Sequence, residues 1–170
     1  MRYLPSLMLA AFAFMFLAGT PAAQETPKWN VICQDDSNPQ SCRMTQNHYV
    51  QQKTKDGKTV TGKILSATII YLADKKTGER HPHLSLQLPL GVDLRPGLIY
   101  RIDDGEQQKR SFLRCTKSGC DAAFQVDDQL LEAMLGGNEM LVGFRGWGAQ
   151  QVTVVKLTLI GFTKAFSALG

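Results

Sequence analysis

Cysteine and histidine are scarce in this chain, at four and three of 170 residues. So few cysteines exclude a disulfide-dense miniprotein. They also lack the closely spaced ligand pairs of a structural zinc site. No segment beyond the N-terminus reaches the roughly 18 consecutive apolar residues of a membrane helix, so the mature chain is not expected to span a bilayer. The prolines and glycines, seven and fifteen in number, follow no period, which excludes collagen-like and low-complexity chains. Gly-x-Ser-x-Gly, His-Glu-x-x-His and phosphate-loop patterns are absent, and no Ser/His/Asp spacing singles out a triad. The expectation is a non-enzyme with no cofactor, metal or catalytic residue. What the chain does have is 44% hydrophobic residues, enough for a folded core, in a length that suits one domain.

The N-terminus reads as a secretory signal peptide. Arg2 supplies a positive n-region, residues 4–18 are uncharged and largely apolar, and small residues follow around Ala22 and Ala23. The apolar stretch makes about 22 Å of helix, short of the roughly 30 Å hydrocarbon core. Cleavage after Ala22 or Ala23 divides the chain into a signal peptide, 1–23, and one domain, 24–170. The mature protein is then periplasmic, outer-membrane-associated or secreted.

The cysteines suit that route. Four permit three connectivities. Cys33 and Cys42 enclose a polar, turn-rich loop, and Cys115 and Cys120 enclose Thr-Lys-Ser-Gly, so two local bridges are expected. Neither spacing matches the Cys-x-x-Cys of a redox centre. His81-Pro82-His83 has no acidic or cysteine partner close by and reads as an exposed loop.

Most of the rest reads as strands. Alternation is clearest at 84–90, where every even position is leucine. Further strands are expected at 28–33, 42–51, 63–72, 98–102, 109–114, 140–144 and 152–160, with turns at Asp56-Gly57, Thr77-Gly78 and Asp103-Asp104-Gly105. Seven or eight short strands fit an antiparallel sandwich or barrel. One helix interrupts them, capped by Asp127-Asp128, with Leu130, Leu131, Met134 and Leu135 on its apolar face and Gly136-Gly137 at its end. Residues 163–169 add a final helical turn. Pro89, Gly91, Pro96 and Gly97 shape residues 89–97 into a crossover.

Charge is unevenly placed. Residues 53–80 carry seven basic against three acidic side chains, and 117–139 one basic against five acidic. Lys53, Lys55, Lys58 and Lys63 can contact phosphates of an anionic glycolipid or an acidic partner. They equally suit solvated strand edges, where lysine discourages aggregation. The basic run lacks interleaved aromatics, which disfavours nucleic acid. Trp29 is expected to pack beside the Cys33 bridge. Arg145-Gly146-Trp147-Gly148 is the surface candidate: Trp147 either stands out from a hairpin tip as a partner anchor or folds back onto the sandwich.

These residues carry a family resemblance. Trp29-x-Val31-x-Cys33, Cys42 with Gln46, Leu88-Pro89-Leu90-Gly91-Val92-Asp93-Leu94-Arg95-Pro96-Gly97, Arg114-Cys115, Gly119-Cys120-Asp121-Ala122 and Gly161-Phe162 occur in that order. From Trp29 to the C-terminus the chain resembles the invasion-associated locus B family of exported bacterial proteins, known chiefly from alphaproteobacteria. The resemblance implies an immunoglobulin-like β-sandwich, an envelope location and, for some members, a role in entering host cells. It brings no catalytic residues. The expected function is therefore surface binding to an envelope or host-surface protein or an anionic glycolipid, with Trp147, Arg145 and the four lysines as contact residues. The alternative is a periplasmic accessory or chaperone-like protein supporting envelope integrity or stress tolerance.

Overall fold

The computed structural model describes residues 28–169, so the signal peptide expected over 1–23 lies outside the described residues. Strands β1 (Asn30–Cys33), β2 (Cys42–Lys53), β3 (Thr59–Ala73) and β4 (Arg80–Leu88) form an antiparallel meander. The chain then crosses to a second sheet for β5 (Leu98–Ile102) and β6 (Gln108–Arg110). It returns for β7 (Arg114–Thr116) and β8 (Gly119–Gln125), where β8 pairs with β4. Helix α1 (Asp128–Gly136) leads to β9 (Glu139–Arg145), β10 (Val152–Thr158) and the short α2 (Phe162–Phe166). The result is a mostly-β, two-sheet fold, six strands in the order β1-β2-β3-β4-β8-β7 and four in the order β10-β9-β5-β6.

The period-two pattern explains the core. Met44, Ile69 and Leu84 are register partners across three strands, and all are buried. Leu86 and Leu88 continue the row on β4, while Leu98, Tyr100, Met140, Val142 and Leu157 come from the other sheet. Each strand therefore offers alternate side chains to one shared interior.

Both expected bridges are closed, Cys33–Cys42 and Cys115–Cys120. Each joins directly opposed residues within the six-stranded sheet and ties an edge strand, β1 or β7, to its neighbour. With no free cysteine among the described residues, this is the chemistry of an oxidising, non-cytoplasmic compartment. No described helix is long and apolar enough to cross a membrane.

Several expectations need correction. The described residues form ten strands, because the stretch expected at 109–114 divides between sheets: β6 ends at Arg110 in one and β7 begins at Arg114 in the other. β8 had no alternation to reveal it, since Gly119, Cys120, Asp121 and Ala122 are all buried. His81-Pro82-His83 is not a loop but part of β4, paired with Leu72, Tyr71 and Ile70. Helix α1 is capped by Asp127, whose carboxylate accepts from the Leu130 N–H at 2.9 Å. Its sheltered side is Leu130, Leu131 and Met134, and Leu135 turns outward, 38% exposed, as the helix ends.

Trp29 is buried in the same core cluster as Cys42 of the bridge. Its indole meets Phe162 edge-on at 5.4 Å and donates its Nε1–H to the Thr158 carbonyl at 2.7 Å. Gln46, fully buried, holds the same residue from the opposite sheet: its Nε2 donates to the Thr158 carbonyl and its Oε1 accepts the Thr158 N–H, both at 3.0 Å. Scattered sequence features, Trp29, Gln46 and Gly161-Phe162, thus converge on the end of β10.

Candidate functional site

The crossover from β4 to β5 and the turn after β9 are far apart in sequence and lie side by side in the fold. The Asp93 N–H donates to the Arg145 carbonyl at 2.8 Å, the Trp147 N–H donates to the Gly91 carbonyl at 2.7 Å, and Val92 bridges Gly146. Gly91 has φ 93°, a backbone conformation that costs an L side chain strain, so the glycine permits this approach. These bonds fix the backbone at Trp147 while leaving the residue 71% exposed.

An ion-pair network supports the indole. Arg95 lies over the ring, its guanidinium carbon 4.9 Å from the centroid. The same guanidinium forks onto Asp93, Nε to Oδ1 and Nη2 to Oδ2, both at 2.9 Å. Arg145 donates from Nη2 to Asp93 Oδ2, also at 2.9 Å. The Asp93 side chain is 2% exposed, whereas those of Arg95 and Arg145 are 72% and 37% exposed. The Arg95 hydrogen bonds hold the Asp93 carboxyl well below the usual carboxylate range, against the opposing effect of burial and with help from Arg145. The reciprocal effect raises Arg95. At neutral pH one buried negative charge thus orders two surface positive ones, of which Arg95 lies against the displayed tryptophan. This arrangement suits a partner with an apolar or planar group next to an anionic one.

The four lysines divide into two settings. β3 pairs with β4 only from Ser66 onward, and β2 shifts register at His48/Tyr49, so residues 49–63 form a two-stranded arm beyond the sheet. Lys53, Lys55 and Lys58 occupy its outer end, exposed, with Lys58 3.3 Å from Asp56. They make no hydrogen bond or ion pair with the tryptophan platform. Lys63, at the root of the arm, lines a recess of about 300 Å³ with Pro89, Leu90 and Lys117, at the start of the crossover that holds the platform.

Trp147 and Arg145 were legible as surface candidates. Asp93 and Arg95 were visible only as part of a shaped crossover. Their signal was an acid and a base two residues apart between Pro89 and Pro96, with Val92 and Leu94 beside the acid. Lys117 had no local signal, because the fold alone brings it to Lys63. The expectation that the histidines lack an acidic partner is corrected, since the His81 ring lies 3.8 Å from the Glu79 carboxylate two residues away; no group of three or more His, Cys, Asp or Glu among the described residues is placed to hold a metal.

Residues 29–170 match the family model described as "Invasion associated locus B (IalB) protein". Two invasion protein B homologs of Brucella abortus (strain 2308, and biovar 1 strain 9-941) are each 28% identical over 162 residues, 95% of this chain and 87% of theirs. The crystal structure of invasion associated protein B from Bartonella henselae is similar in fold, with a TM-score of 0.59 at 14% identity over 85% of this chain and 95% of that one.

Proposed function

The chain belongs to the invasion associated locus B family, and on that premise we propose that it is an exported, non-catalytic protein of the cell envelope that works by surface binding. Residues 1–23 are on this reading a cleaved signal peptide, delivering an immunoglobulin-like sandwich to the periplasm, the outer membrane or the exterior. The partner is an envelope or host-surface protein that seats an apolar group on Trp147 and an acidic group on Arg95 and Arg145. The family's name and those of the Brucella relatives motivate a role at the host interface.

The observation that carries the proposal is the exposed Trp147 held over Arg95 by the buried Asp93. An indole left in water yet fixed in place retains apolar area for a partner at little entropic cost. The test is recovery of partners from cross-linked envelope and host-surface fractions. Wild-type protein is compared with Trp147→Ala and with a variant in which Lys53, Lys55 and Lys58 are replaced by glutamate. Loss of the same partner with Trp147→Ala supports the platform, and loss with the lysine variant extends the surface to the arm. Equal recovery of every partner by all three proteins sinks the proposal.

A further inference from the structure

A second feature lies where α1 faces the turn between β5 and β6, in a cleft of about 510 Å³. Its floor is Tyr100, which points inward from β5 and is 3% exposed. The ring stacks on Phe124 of the opposite sheet at 5.3 Å, and the Arg110 guanidinium covers both rings, 5.4 Å and 4.7 Å from their centroids. That packing covers the aromatic faces and offers the hydroxyl no hydrogen bond among the described residues; since no buried side-chain polar atom among them is left without a partner, the hydroxyl is open to solvent, at the cleft that Tyr100 lines. Burial pushes the phenol pKa upward, so at neutral pH the group is an uncharged donor and acceptor.

The walls are acidic. Asp127 is occupied in capping α1, and Asp103 accepts the backbone N–H groups of Asn138 and Glu139. Glu106 on the turn and Glu132 on the helix face the same cleft with no hydrogen bond or ion pair among the described residues. Arg110 is the only base on the lining, and its guanidinium is engaged over the aromatic rings. Ile102, Leu130 and Ala133 add an apolar part to the same lining. Among the described residues no three carboxylates converge closely enough to hold a metal ion. The chemistry that complements an apolar lining, two unpaired carboxylates and a phenolic acceptor is a slim carbon chain ending in a positive charge.

We propose that this cleft binds an aliphatic ammonium group, with the ammonium between Glu106, Glu132 and the Tyr100 hydroxyl and its methylene chain along Ile102 and Leu130. The group comes from a free polyamine or from a lysine side chain of a peptide. Calorimetric titration of the purified protein with spermidine, with acetyl-Gly-Lys-Gly-amide and with neutral 1,8-octanediol distinguishes these. Saturable binding of either amine, with none of the diol, is expected, and the tighter amine identifies the source. Tyr100→Phe keeps the ring and Glu106→Gln with Glu132→Gln keeps the shape, so both variants should melt close to wild type. Each should bind the amine on the order of tenfold more weakly, as loss of a charge-assisted hydrogen bond implies. Affinity unchanged in either variant, or no saturable binding of either amine, overturns the proposal.

Discussion

Asp93 shows how one residue sets the chemistry of a surface without being on it. Its carboxylate accepts three guanidinium bonds and the Arg95 backbone N–H at 3.3 Å. In the folded protein its pKa lies below the ordinary carboxylate value. The unfolded chain therefore takes up a proton first on acidification. Stability from Asp93 is complete above about pH 4 and is lost as the pH falls through the depressed value. Thermal melts of wild type and Asp93→Asn should differ at pH 7, with the variant less stable, and converge only below about pH 4. Curves that stay parallel to pH 2 would show that the ion pairs contribute nothing. Trp147 and Arg145 were legible because glycines isolate them in the chain. Asp93 was not, since its pairing with Arg145 spans 52 residues and no local pattern records it.

Among the elements, the edges of the six-stranded sheet stand out. β1 has four residues and β7 three, too few to hold an edge by hydrogen bonds alone, and each is stapled to its neighbour by a bridge. Replacing Cys115 and Cys120 together by serine should cost roughly 2–3 kcal/mol in urea unfolding. It should also raise amide exchange in β7 ahead of β8. Uniform exchange across both strands would mean that the bridge does not act on the edge. The bridges were legible because their turns are local. β4 was legible from its leucine alternation, whereas β8, buried through four successive small residues, left no period to read.

For the whole molecule, a side chain of one sheet joins the backbone of the other. Gln46 reaches from β2 and bonds both backbone groups of Thr158, as a neighbouring strand would. Its Oε1 can only accept, so the His48 ring donates to it through Nε2–H at 2.8 Å. Gln46→Leu keeps the volume but removes the amide's two bonds to a half-buried backbone. It should cost about 2–4 kcal/mol in chemical denaturation, and a loss below half a kcal/mol would show that water replaces the amide. The sequence by itself determined most of the antiparallel strands, though not β8 or the division of 109–114, together with the capped helix and both local bridges, because alternation, capping and short-loop closure each act within about ten residues. Only the tertiary structure decided which strands share a sheet, that Trp147 stands out on Arg95, and that Tyr100 opens into an acidic cleft. A periodic pattern records which face of a strand is buried, but what that face meets is settled by contacts between distant segments.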